Sequence, residues 1–130
     1  MKKVLFAIIS ISALLASCKP ALTPEQLYGT WNYTRVEKPK SPGDSLTRFD
    51  IAEKKPHIVF NQNNTIEIYS DGKVLSHGSY TIAGRDINYK EDLGDSKIRD
   101  FPFAVSELTD KKIIFETLGE GGSKVTAVRQ

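Results

Sequence analysis

The chain has 130 residues with 18 Lys+Arg against 16 Asp+Glu, a length that fits one domain. Two of those lysines, Lys2 and Lys3, open the chain; without them the charges balance, which excludes the basic footprint of a nucleic-acid binder. The ordinary hydrophobic content of 39% excludes a disordered chain, and a single cysteine, Cys18, excludes an internal disulfide framework.

Met1-Lys2-Lys3 supplies a positive start, and Val4–Ala16 follows as an apolar run broken only by Ser10 and Ser12. The run is too short for a membrane span, which needs about 20 apolar residues, and has the length of a signal-peptide core. Leu15-Ala16-Ser17-Cys18 then resembles the lipobox of bacterial lipoproteins. The resemblance implies cleavage before Cys18, a diacylglycerol thioether on its sulfur and acylation (typically palmitate) of the new amino group. Two or three acyl chains anchor stably where one is marginal. Lys19 rather than Asp follows the cysteine, which by resemblance to enterobacterial lipoproteins implies the outer membrane, facing the periplasm. An ordinary secretory signal with Cys18 merely near the cut is the rival. The expected boundaries are 1–17 for the signal peptide, 18–28 for lipidated terminus, tether and helical turn, and 29–130 for the folded domain.

Lys19–Leu22 reads as a short tether, and Thr23-Pro24-Glu25-Gln26-Leu27 as one helical turn, with Thr23 as cap and Pro24 in the first helical position. From Gly29 the chain is written in period two. Trp31 and Tyr33 share a face; Ile58 and Phe60 precede the turn cluster Asn61–Asn64; Ile66 and Ile68 precede Asp71-Gly72, a tight hairpin turn. Tyr80 and Ile82 follow, then Ile87 and Tyr89, ended by the turn Glu91–Asp95. Phe101, Phe103 and Val105 precede Thr109-Asp110; Ile113 and Phe115 precede the glycines at 119–122; Val125 and Ala127 form the last run. These eight runs with short connections predict sequential antiparallel strands, each with one apolar face to bury by closure or stacking. The meander-like spacing favours an eight-stranded up-and-down β-barrel, all-β, over a Greek-key sandwich.

One connection is long. Glu37–Pro56 contains Phe49 and Ile51, which form a candidate lid over a barrel mouth or else rest on the outer wall of a solvated loop. Asp44-Ser45-Leu46 within it resembles an O-glycosylation acceptor of some bacterial envelope proteins, and an ordinary polar loop has the same composition.

Gly29-Thr30-Trp31 after a helical turn resembles the Gly-x-Trp that opens the first strand of lipocalins. Gly78–Ile82 and Val105–Thr109 resemble recurring features of small bacterial lipocalin-like lipoproteins. The resemblance spans residues 23–130 and implies that Arg129 packs across Trp31 to close the barrel. Phase agrees, because Arg129 follows Val125 and Ala127 at intervals of two; a C-terminal Arg frayed into water is the rival. No disulfide, no helix after the last strand and only a partial Thr-Asp-Tyr at Thr109-Asp110-Lys111 separate this chain from larger lipocalins. Fatty-acid-binding proteins share a Gly-Thr-Trp start but need a longer barrel and a helical pair in the first loop.

Catalytic constellations are not evident. His57 and His77 have no ligand-like spacing, and adjacent Ser76 and His77 point to opposite faces of a strand. The glycines at 119–122 precede a strand, not the helix a phosphate cradle needs. Neither an enzyme, a cofactor nor a metal is expected. The inward phase holds Tyr33, Phe60, Ile68, Tyr80, Tyr89, Phe103 and Phe115 as candidate lining for a small hydrophobic ligand, and the same side chains can fill the barrel themselves. Two functions follow as expectations. One is a lipid-anchored carrier of a small hydrophobic molecule. The other is a non-enzymatic module for an envelope protein partner, acting as inhibitor, immunity or assembly factor through its loops.

Overall fold

The computed structural model describes residues 19–119 and 121–130; the leader and Cys18 lie outside the described residues. A helical turn, α1 (Pro24–Leu27), leads into β1 (Gly29–Glu37), and the long connection carries a 3-10 turn at Pro42–Asp44 and a helix, α2 (Arg48–Lys54). The strands β2 (His57–Phe60), β3 (Thr65–Ser70), β4 (Lys73–Ala83), β5 (Asp86–Gly94), β6 (Lys97–Leu108), β7 (Lys112–Thr117) and β8 (Lys124–Arg129) follow. Each pairs antiparallel with the next, and β8 returns to β1, closing the predicted up-and-down barrel. Closure removes the free edges that an open sheet would expose.

Alternation explains most of the wall. Trp31, Ile58, Phe60, Ile66, Tyr80, Ile87, Tyr89, Phe103, Val105, Ile113, Phe115, Val125 and Ala127 are all buried, and the residues that alternate with them are less so and mostly polar. Period two breaks at four bulges among the described strands, where Thr34, Leu75, Leu93 and Ser106 have no cross-strand partner. An extra residue shifts the phase, so in β1 the inward series runs Trp31, Tyr33, then Val36, and in β6 Phe103, Val105, then Leu108. At two bulges a small hydroxyl donates to the opposite carbonyl: Thr34 Oγ1 to Thr126 O at 3.2 Å, and Ser106 Oγ to Ile114 O at 3.3 Å.

Three expectations are corrected. Glu91–Asp95 is not the turn after β5. The strand runs to Gly94, and the turn is Asp95-Ser96, both at positive φ (52° and 61°), as a tight type I′ hairpin requires. The first connection, though largely exposed to solvent, is not a plain loop but carries the capped helix α2, and Phe49 does not act as the expected lid. Thr47 and Asp50 cap α2 reciprocally, Asp50 N–H to Thr47 Oγ1 at 3.2 Å and Thr47 N–H to Asp50 Oδ2 at 2.9 Å; the Asp71 N–H binds Lys54 O at 2.6 Å. Phe49 is 85% exposed and covers nothing, and Ile51 is half-buried. Leu46 is the residue of this segment that packs against the core, with its N–H on Val36 O at 3.1 Å. Finally, Lys19–Leu22 is no loose tether: Leu22 is buried in the core cluster.

Gly78 shows how tightly β4 meets β5. A Cβ on this residue would lie 2.0 Å from Lys90 O and 3.0 Å from the Tyr89 ring, so no side chain fits without separating the strands. Gly78→Ala should therefore cost about 2 kcal/mol or more, at the upper end of overpacking. A lowered urea midpoint checks this, and an unchanged one refutes it.

Candidate functional site

The barrel has two unlike ends. At the first, Gly29, the turns after β2, β4 and β6, and the end of β8 meet beneath α1. Trp31 is fully buried there, opposite Arg129 in the β1–β8 ladder. The guanidinium carbon lies 4.1 Å from the indole centroid, a cation–π contact. Its nitrogens fan out onto backbone carbonyls: Nε to Asp110 O at 2.7 Å, Nη2 to Gln26 O at 2.8 Å, and Nη1 to Tyr28 O. The indole Nε1–H donates to Leu27 O at 2.8 Å. The carbonyls a helix leaves unpaired at its C-terminus are thus taken up by Trp31 and Arg129, and a cation suits that end of the helix dipole. Gly29 completes the arrangement at φ 125°, where a Cβ would approach Arg129 Nη1 to 3.0 Å.

Above this plug the candidate lining residues pack on one another. Phe60 meets Tyr80 edge-on at 5.6 Å, Tyr89 lies 5.6 Å and Phe115 5.0 Å from Phe103, and Tyr33 meets Phe115 edge-on at 6.3 Å. Phe60, Tyr80, Tyr89, Phe103 and Phe115 are buried, while Tyr33 and Ile68 are partly so. Among the hollows of the described residues, Tyr89 helps to line one and Tyr80 another, both partly open to solvent, while Phe60, Phe103 and Phe115 line none of the five best formed. Dry surroundings penalise phenolate. Burial pushes the Tyr80 phenol up to about 12, and burial with the neighbouring Tyr89 holds Tyr33 higher still.

Towards the second, open end the interior turns polar. The Tyr89 and Ser76 hydroxyls lie 2.7 Å apart, Ser76 Oγ donates to Glu91 Oε2 at 2.5 Å, and Arg99 Nη2 stands 2.6 Å from Glu91 Oε1. Glu91 is only 9% exposed, so pairing offsets what burial of a lone carboxylate would cost. Arg99 also lies 4.8 Å over the Phe101 ring, which packs edge-on against Phe103. Period-two reading missed this chain because it took Glu91 for a turn residue. Ser76 and His77 do face opposite sides: Ser76 bonds inward and His77 is exposed.

The rim of the open end is apolar. Of the large apolar side chains exposed among the described residues, Phe49, Val74, Leu75, Leu93, Ile98 and Leu118 all stand at or next to it, and Val128 alone belongs to the other end. Leu75 and Leu93 are the unpaired residues of two bulges, a device that re-aims side chains at barrel rims. Between the first connection and the β7–β8 turn, Pro39, Lys40, Leu118 and Ser123 help to line an open cleft of about 230 Å³. Ser45, in the acceptor-like Asp44-Ser45-Leu46, uses its Oγ to accept the Lys38 N–H at 2.9 Å. Val74-Leu75, a consecutive apolar pair that alternation cannot bury together, and Leu93 amid turn-like residues were the available signals for the rim.

The closed end and the interior give three predictions. Trp31→Ala should cost roughly 3–5 kcal/mol. Arg129→Lys, which keeps the charge but loses the fork, should cost about 2 kcal/mol. Far-UV circular dichroism during denaturation reads both, and equal stability of all three proteins would contradict the closure. The buried phenols also set a pH dependence. An unfolded tyrosine ionises near 10, so above that pH the unfolded chain binds fewer protons and gains stability relative to the barrel. From neutral pH to ~10 the contribution of these phenols should be constant, and stability should fall as the pH rises from there towards about 12; a denaturation midpoint that does not fall would oppose it.

The model of a lipocalin-like domain family matches residues 27–115. No curated protein matches the sequence. The family match begins at the turn whose carbonyls Trp31 and Arg129 hold and continues into β7, more than half the chain, and the chain belongs to the lipocalin-like domain family.

Proposed function

We propose that this chain is a lipid-anchored envelope protein that binds a small hydrophobic ligand at the open end of its barrel. Membership of a lipocalin-like family supports a ligand-binding barrel, and a binding role without chemistry of its own. The lipobox-like Leu15–Cys18 supports anchoring through Cys18, and Lys19 after it supports the outer membrane, facing the periplasm.

The observation that carries the ligand reading is the apolar rim. Contiguous exposed apolar surface is uncommon on a soluble protein without a binding role. Here six exposed apolar residues stand at or next to the mouth, and Tyr33, Leu46, Ile68 and Phe101 are partly buried against the core. Because aromatic side chains occupy the depth of the barrel, the ligand is received at the mouth, against Phe101 and the rim leucines. The filled interior is also what favours the second function, an interaction module for an envelope protein that docks on the same rim.

Titration with 1-anilinonaphthalene-8-sulfonate, with native mass spectrometry of the purified protein, tests the ligand reading. Leu75→Asp and Leu93→Asp should each weaken binding about tenfold, as expected for removing ~1.4 kcal/mol of apolar contact. Val128→Asp at the other end should leave binding unchanged. No binding, or equal loss from the Val128 variant, would reject the ligand reading.

A further inference from the structure

The four residues Lys19–Leu22, which precede the Thr23 cap of α1, are fastened to the closed end. The Leu22 N–H donates to Gly84 O at 2.8 Å, in the β4–β5 turn, and Leu22 is buried in the core cluster. Arg85 Nη1 donates to Pro20 O at 3.0 Å, and Lys19 Nζ to Ser106 O at 3.2 Å on β6. The arm therefore runs from the end of β6, across the β4–β5 turn, into α1. Beside it, Lys19, Arg85, Ser106 and Glu107 help to line an open hollow of about 320 Å³. Glu107 is paired with Lys112 at 2.9 Å, which leaves Lys19 and Arg85 as the cations of this seam.

Lys19 is bonded to Cys18, so whatever is attached at Cys18 begins one residue from the seam. Were the arm free, four residues would add up to ~14 Å of slack and let the barrel tumble on its anchor. Fastened, the arm leaves no slack. We infer that the docked arm Lys19–Leu22 holds the closed end of the barrel, at its β6 margin, against the headgroups of the anchoring bilayer and presents the apolar rim to the opposite side. This rests on the anchoring of Cys18 proposed above. Lys19 and Arg85 lie where headgroup phosphates would meet the seam, and cations near an anionic surface add to anchoring. The orientation also keeps the rim hydrophobics out of the bilayer that carries the protein.

The height of the barrel makes the orientation measurable. The nine residues of β1, at about 3.3 Å each and tilted by about 40°, stand roughly 23 Å tall. Cys18 is the sole cysteine, and a thioether consumes its thiol, so an introduced cysteine would be the only free one. The full chain is made with its leader in a bacterial host, as Lys111→Cys at the closed end or Lys97→Cys at the open end. Each is labelled with a fluorophore and inserted in phosphatidylethanolamine–phosphatidylglycerol vesicles carrying a nitroxide-headgroup lipid. Mass spectrometry of the N-terminal peptide reports the lipid on Cys18.

With Cys18 lipidated, quenching at position 111 should exceed that at position 97 by roughly threefold or more, given the ~23 Å between the ends. Adding Leu22→Asn and Arg85→Ala should bring the two towards equality while far-UV circular dichroism stays that of the barrel. Equal quenching in the parent chain with lipid present would overturn the orientation and leave the anchor standing. Asymmetry that survives release of the arm would show that the arm does not set the orientation, which also overturns the inference. A Cys18 without lipid would remove the anchor and the orientation together.

Discussion

The structure depends on how β8 is sealed to β1. That seam joins the first and last strands of the domain, its register shifts at Thr34, and no turn links its two strands. Ladder bonds hold its length, and Arg129 locks its end. One guanidinium covers the Trp31 ring and donates to carbonyls of Gln26, Tyr28 and Asp110, so it ties together α1, the start of β1, the β6–β7 turn and the end of β8. The Gln130 N–H extends the seam onto Thr30 O, and the Arg129 N–H ties the other flank of β8 to Lys111 O in the β6–β7 turn. Lysine has the charge but lacks the planar fork of five donors that this geometry uses. A barrel that failed to close here would expose two strand edges and the largest core side chain together.

Sealing one end with Trp31 and α1 has a consequence for the rest of the interior. Eight short strands enclose little more than the side chains they carry. The aromatics from Phe60 to Phe115 use that space in edge-on and tilted contacts. Polarity then rises along the axis: past Tyr89 comes the chain of Ser76, Glu91 and Arg99. This chain keeps a buried carboxylate compensated, and it separates a dry plug from a rim that is again apolar. Recognition at the mouth, as proposed for this small member of the family, would then rest on side chains that backbone irregularities rather than alternation present.

Much of the wall was legible because burying one face of a strand leaves a two-residue imprint that survives in sequence. Trp31 to Ala127 could be assigned to strands on that basis alone, and Asp71-Gly72 announced its turn through residues that tolerate positive φ, as both show (56° and 74°). The misreadings share a cause, which is that the stabilising partner lies far along the chain. Residues 91–95 have the composition of a turn, yet the β5–β6 ribbon persists because Lys90 faces Asp100 and Glu91 faces Arg99 across it, a register neither strand displays alone. The box of Thr47 with Asp50 was a local signal for α2 that could have been read. The bond from Asp71 to Lys54 that fastens the helix was not. Nothing in Lys-Pro-Ala-Leu announces that Leu22 enters the core. Bulges are hardest of all, since one inserted residue leaves the composition untouched and changes every orientation after it.

The distribution of strand length explains why the rim has its apolar character on one side. β4, β5 and β6 have 11, 9 and 12 residues, while β2 has 4. Four of the exposed apolar residues at the rim, Val74, Leu75, Leu93 and Ile98, belong to these three consecutive strands. Hairpin segments that outrun the packed core have no facing wall to bury against, so an apolar residue there is left in water at a cost of about 25 cal/mol per Å² of surface. A sequence under selection for stability alone would place polar residues at such positions, as this one does at Lys73, Asp95 and Lys97. The exposure of Leu75 and Leu93, the bulged residues of this rim, is a cost the isolated barrel does not recover by folding. The occupant proposed for the rim, a small hydrophobic ligand or a protein partner, would supply the burial that offsets it.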